Sequence, residues 1–331
     1  MLEQDHDGGG VVIDGSLVCL VTPFHDDGIN EQAFTAHLTR LHAHGMTAVS
    51  PCGLTGEGPT LSTSERDTLI RIAVEVADRG VRVVPSTGTN ATNSTIQLTR
   101  QARQAGADAV LVVVPYYSRP SQEGIWRHFE AVARAVDVPI VVHHAASRTG
   151  VPLRPETVAR LATIPSVIGI VDEEFSLERW QAIAERAGPA FPQHGGCDAD
   201  MALAAMVGQG GCLPAVANVA PEVCGSLLRA SRTGATHVAL EMQAAINRFA
   251  RSFGDIDDAA AIKLLLEQIR PGFGRSVRHP LIAAPATADA DLCMALDVLR
   301  RRGKALQPSE VTNPIESCSG PLAYQHEHRR S

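Results

Sequence analysis

From Ser16 to Ala215 the chain repeats one unit: a short apolar stretch that suits a buried strand, then a stretch with helical spacing. Strands are read at Ser16–Thr22, Ala48–Pro51, Arg82–Pro85, Ala109–Val114, Pro139–His143, Val167–Val171, Ala190–His194 and Gly211–Ala215. Ala109–Val114 is wholly apolar and mostly β-branched, as a parallel strand covered on both faces should be. Between strands, Phe34, Leu38 and Leu41 recur at helical spacing, and Ser62 stands three residues before Glu65 in a capping-box pattern. Eight strands alternating with helices over about two hundred residues predict an α/β fold, a (β/α)8 TIM barrel. From Pro221 to Leu299 the pattern is helical only. The expected organisation is a flexible tail over 1–14, the barrel over 15–216, a C-terminal helical extension over 217–303 and a disordered tail over 304–331.

Composition removes several function classes. The 331 residues carry a formal net charge of −7, which argues against nucleic acid as the main partner. Met1 to Gly10 is acidic and glycine-rich without an apolar centre, so it does not read as a signal peptide. No apolar run approaches the roughly 18 residues of a membrane span. The seven cysteines are scattered and never spaced Cys-x-x-Cys, which suits a reducing cytoplasm. Lys263 and Lys304 are the only lysines; every other fixed cation is an arginine, which cannot act as an amine nucleophile.

Six short motifs carry a resemblance: Thr22-Pro23-Phe24, Gly53-x-Thr55-Gly56-Glu57, Pro115-Tyr116-Tyr117-x-x-Pro120, Ser147-Arg148-Thr149-Gly150, Ala217-Asn218-Val219-x-Pro221 and Val277-Arg278-x-Pro280-Leu281. In order and spacing the chain resembles the dihydrodipicolinate synthase/N-acetylneuraminate lyase family from about Ser16 to Arg302. The resemblance implies a barrel with a three-helix extension, usually a tetramer built from tight dimers. It also implies a lysine on the sixth strand that forms a Schiff base with a 2-oxo acid, typically pyruvate, before aldol addition, cleavage or dehydration. A tyrosine on the fifth strand, two threonines after the second and a tyrosine of the neighbouring subunit complete such a site.

This chain departs from that pattern at the chemistry. Val171 stands at the lysine position, His143 at the fifth-strand tyrosine, His144 at the asparagine after it, and Leu54 at the first threonine. Lys263 falls in the helical extension and Lys304 near the tail. An imine needs a primary amine within bonding reach of the carbonyl, so the sequence predicts a mechanism without one.

Side chains alternate along a strand, so if Val171 points inward, Glu173 does too, nearer the mouth where barrel sites lie. His143 takes the matching inward place on the adjacent strand. The expected catalytic groups are His143, paired with Glu173 for general acid/base work, and the phenol of Tyr117. The plainer reading of His143 is that it fills the tyrosine's volume and bonds locally. Gly53, Thr55, Gly56, Arg148 and Leu213 are the expected substrate contacts: Thr55 and the backbone N–H groups around Gly53–Gly56 for a carboxylate, and Arg148 for a second anionic group at the mouth by bidentate pairing. The Ser-Arg-Thr-Gly segment around Arg148 reads as a turn. Cys52 beside the pocket loop reads as structural. No cofactor is expected. A divalent metal is the alternative to an imine, with His143, Glu173 and His194 as candidate ligands and His144 and Cys197 nearby; no spacing here matches a known metal motif. The functional expectation is a lyase-type enzyme acting on a small carboxylate, in a homodimer or homotetramer. The alternative is a non-catalytic ligand-binding or scaffold relative.

Overall fold

The computed structural model describes residues 13, 15–25, 28–77, 80–207 and 211–306, so both expected tails lie almost wholly outside the described residues. The strands in chain order are β1 Leu17–Cys19, β2 Phe24–His25, β3 Gly28–Ile29, β4 Ala48–Ser50, β5 Arg82–Val83, β6 Val110–Val113, β7 Ile140–His144, β8 Val167–Asp172 and β9 Gln193–Gly195. β1, β4 and β5 pair in parallel, as do β6 through β9; β2 and β3 form a small antiparallel hairpin that the sequence pattern does not reveal. Single bridges join the two runs, Ser86 to Leu111 on one side, and Gly195 to Cys212 to Ser16 on the other. The ring is thereby closed into a (β/α)8 barrel.

The eighth stave, expected over Gly211–Ala215, is reduced to the bridging residue Cys212. Its backbone is still used: Leu17 N–H donates to Cys212 O at 2.8 Å, Cys212 N–H to Gly15 O at 3.0 Å, and Leu213 N–H to Gly195 O at 2.8 Å. Pro214 has no N–H to continue the ladder. At Gly211 a Cβ would sit 1.4 Å from Gly15 O, so only glycine lets the first and last staves meet.

The helices are α1 Glu31–Ala43, α2 Thr63–Val76, α3 Thr92–Gln104, α4 Gln122–Ala135, α5 Ala146–Thr149, α6 Pro155–Ala162, α7 Leu177–Ala187, α8 Met201–Val207, α9 Pro221–Arg232, α10 Thr236–Arg251, α11 Asp258–Ile269 and α12 Asp289–Ala305. The capping box forms as its spacing predicts: Ser62 Oγ accepts from Glu65 N–H at 3.3 Å, and Glu65 accepts from Ser62 N–H at 2.8 Å. Among the described residues no helix is long and apolar enough to cross a membrane.

Alternation along the staves produces two cores. Leu17, Cys19, Ala48, Val84, Leu111, Val141, Val171 and Leu213 point inward and fill the barrel. The residues between them point outward and join the larger core under the helices. The helices expected as the extension over 217–303, α9 to α12, are tied to the barrel through a buried ion pair. Lys263 of α11 meets Glu57 in the loop after β4, and both side chains are 0% exposed.

Candidate active site

The mouth of β7 and β8 gathers the ionisable side chains. In the parallel register His143 lies opposite Val171 and His144 opposite Asp172. Val171 is 1% exposed and belongs to the barrel interior. Glu173 follows the end of β8, where its N–H still donates to His144 O at 2.9 Å. Its side chain therefore rises on the inner face above Val171, and Glu173 Oε1 stands 3.0 Å from His143 Nε2. An ionised carboxylate only accepts, so Nε2–H donates. The basic nitrogen of the neutral ring is then Nδ1.

Glu173 Oε2 lies 3.4 Å from Arg148 Nε. Burial pushes the Glu173 carboxyl up, but the hydrogen bond and charge of His143, together with Arg148, outweigh it and leave the carboxyl below its ordinary range. Arg148 comes from α5: the Ser-Arg-Thr-Gly segment, expected as a turn, forms a short helix.

The neighbouring histidine does something else. His144 is fully buried on the outer face of β7. Leu153 N–H donates to its Nε2 at 3.0 Å, which leaves Nδ1–H to donate to Asp172 at 2.9 Å. Asp172 also accepts from Arg179 Nε at 2.6 Å and from Glu174 N–H at 2.9 Å. Burial raises the Asp172 carboxyl; His144 and Arg179 more than reverse that and hold it low. The cluster locks β7, β8 and α7 together, and none of its three side chains, His144, Asp172 and Arg179, borders the cavity inside the barrel.

That cavity has a volume of about 110 Å³. It brings together Gly53, Thr55, His143, Arg148, Glu173 and Leu213. A second chamber of about 350 Å³ lies outward, against the segment from Gly254 to Ala259, and the two share Leu54, Thr55, Arg148 and Asp258.

Other expected site residues fall elsewhere. Tyr117 is 91% exposed, with φ +69°, and does not border the cavity of its own chain. Gly56 does not border it either. A Cβ there would sit 2.6 Å from Leu20 O, so this glycine serves the packing of the loop. His194 lies in register beside Val171, its Nδ1 accepting from Gly211 N–H at 2.8 Å, and it does not border the cavity that His143 and Glu173 line. Among the described residues no three His, Cys, Asp or Glu side chains are grouped to hold a metal ion. Cys52 is buried and its thiol is pushed up to about 12 by burial. Cys197, where burial and nearby carboxylates act together, also lies at about 12.

Sequence reasoning missed Cys19, Asp198 and Asp258, which border the cavity from β1, the turn after β9 and the start of α11. The Thr55 hydroxyl and N–H are turned to the Cys19 thiol, which burial nonetheless holds above its ordinary value. A signal for Asp198 was available in the Gly-Gly-Cys-Asp run after the seventh strand. Burial lifts the Asp198 carboxyl to about 7, against the opposing hydrogen bond from Val216 N–H. A carboxyl raised in the folded state adds stability below its unfolded value, and that stability is lost as pH rises through the folded value. The melting temperature is therefore expected to decline between about pH 4 and 7 in part through Asp198. Asp198→Asn should flatten that decline; melts of the two proteins with identical pH profiles would remove Asp198 as the cause.

The model of the dihydrodipicolinate synthetase family matches residues 12–297. The 4-hydroxy-tetrahydrodipicolinate synthase of Hyphomonas neptunium is 39% identical over 287 residues, spanning 85% of this chain and 97% of that one. Among solved structures, the same-named enzyme of Methylacidiphilum fumariolicum SolV superposes with a TM-score of 0.84 at 28% identity, covering 89% of this chain and all of that chain. The chloride-inhibited dihydrodipicolinate synthase of Acinetobacter baumannii, solved in complex with pyruvate, gives a TM-score of 0.82 at 29% identity, covering 87% and 99%. The match runs from before the first stave into the last helix of the extension, so the closed barrel, its mouth loops and its helical cap share one ancestry: the chain belongs to the dihydrodipicolinate synthetase family.

Proposed function

We propose that this member is a lyase-type enzyme that acts on a small carboxylate bearing a carbonyl, a 2-oxo acid or close relative, by acid/base chemistry centred on His143 and without an imine. The observation that carries this reading is the 3.0 Å contact of His143 with Glu173, directly above Val171. Nδ1 of His143 removes a proton from the carbon beside the substrate carbonyl, and Glu173 holds the ring in the tautomer that leaves Nδ1 free to do so. The electron pair moves to the carbonyl oxygen, giving an enolate. Carbon–carbon bond formation proceeds from such an enolate; aldol cleavage, in which the base takes the hydroxyl proton as the carbon–carbon bond breaks, and loss of carbon dioxide from a carboxylate on the carbon beside the carbonyl both lead to one; dehydration expels hydroxide from the carbon next to it. Arg148 receives the carboxylate at the boundary between the two chambers. Because Tyr117 points away from its own cavity, its part in the site depends on a second copy of the chain, and a homodimer or homotetramer belongs to this reading.

Two measurements with pyruvate test it. Borohydride added to a mixture of protein and pyruvate is expected to leave the protein mass unchanged, because neither lysine borders the cavity. A stable mass gain on a barrel peptide would sink the proposal. In deuterium oxide the protein is expected to wash deuterium into the pyruvate methyl group faster than buffer alone. Absence of exchange at any pH would leave only the ligand-binding relative.

A further inference from the structure

Arg148, expected to pair with an anionic group at the mouth, already faces a carboxylate of its own chain. Glu173 divides its two oxygens, Oε1 toward His143 at 3.0 Å and Oε2 toward Arg148 at 3.4 Å. The two partners differ in freedom. The Glu173 and His143 side chains are 14% and 11% exposed, whereas that of Arg148 is 53% exposed and lines both the inner cavity and the outer chamber. At 3.4 Å the Arg148 contact is also the looser of the two. A ligand carboxylate reaching this boundary meets an arginine partly occupied by an internal anion.

Resting on the acid/base reading above, we propose that Glu173 is an internal competitor for Arg148: the substrate carboxylate takes the arginine over, and Glu173 is left to His143 alone. The base is then completed by its own substrate. A molecule of the right shape but without a carboxylate leaves Glu173 shared between two cations, with the ring of His143 less firmly oriented. Arg148 thus acts as a positioning residue through Glu173, in addition to holding the ligand. The exchange breaks no covalent bond and moves no proton; one carboxylate replaces another at the guanidinium.

The test is a binding cycle read by calorimetry on the full chain, with pyruvate as the probe. Arg148→Met is expected to weaken binding. Glu173→Gln is expected to tighten it roughly threefold to fivefold, the scale set by an ion pair with one partner half exposed. The same substitution should abolish deuterium exchange into pyruvate. In the double variant the tightening should vanish, because the gain requires the freed arginine. Glutamine preserves the volume at position 173 and still accepts from His143, and a melt of each variant checks that it is folded.

Unchanged or weaker pyruvate binding by Glu173→Gln overturns the proposal. So does a gain of equal size in the Arg148→Met background, which would mean general charge repulsion without exchange. If no variant binds pyruvate at millimolar concentration, the proposal is overturned too. Failure of the parent reading looks different: His143→Ala then exchanges deuterium as fast as wild type, whatever the binding cycle shows.

Discussion

Replacing His143 with alanine is expected to slow deuterium exchange into pyruvate by about 10²-fold or more, the usual scale for losing a general base. The substitution removes the imidazole from the cavity lining and leaves Glu173 with Arg148 as its charged partner. His144→Ala should behave in the opposite way. Its imidazole has both nitrogens occupied outside the barrel, by Leu153 N–H and by Asp172, so the rate should change little. Stability should fall instead, by about 1–3 kcal/mol, the cost of leaving buried polar partners unsatisfied. The pH profile adds a sign. Glu173 is held below its ordinary range, so the tautomer-fixing contact persists above that range and is lost as pH falls through the depressed folded value. Activity is expected to fail on the acid side first. A full-rate His143→Ala protein would remove this residue from the mechanism, and a larger rate defect at His144 would do the same.

Breaking the buried pair between Lys263 and Glu57 is expected to cost more stability than losing the His144 imidazole. Both side chains are 0% exposed, and the Phe24 ring packs against the lysine Nζ at 4.1 Å and the Arg278 guanidinium at 4.4 Å. Glu57 also accepts from Arg278 N–H at 2.7 Å, and Lys263 donates to Ser276 O at 2.7 Å. Burial pulls the lysine down to about 8, with Glu57 opposing, so it stays charged at neutral pH. Lys263→Met therefore strands a buried carboxylate and should destabilise the protein by about 3–5 kcal/mol. Replacing both partners with apolar residues, Glu57→Leu with Lys263→Met, should recover much of that loss, since neither charge then remains unpaired. Chemical denaturation of the two single variants and the double variant checks this; a single variant as stable as wild type would show that the pair contributes nothing. The local consequence matters for the site. Glu57 sits at φ +55° and Cys52 at φ +61°, on either side of the cavity-lining residues Gly53, Leu54 and Thr55. The helical extension thus helps hold this strained loop in shape.

Strand parity placed Val171, His143 and Glu173 on one face and His144 on the other, and each side chain lies where parity put it. Parity is dictated by backbone geometry alone, so a correct strand assignment carries it. The six motifs were enough to identify the family, because turns and close approaches tolerate few residue types at fixed spacing. Strand ends were less legible: the eighth stave shrinks to Cys212 because Pro214 interrupts the ladder and the two flanking staves supply the remaining bonds.

What the sequence by itself determined is the alternation of strand and helix, the inward register of the staves and the valine at position 171, all of which follow from local pattern or residue identity. Only the tertiary structure decided which charges meet. Arg148 reaches Glu173 from a different βα unit, Asp258 joins the cavity from the helical extension, Thr55 turns to the Cys19 thiol, and Tyr117 leaves the cavity of its own chain. Those contacts depend on loop paths and side-chain reach in three dimensions, where separation along the chain says nothing about distance.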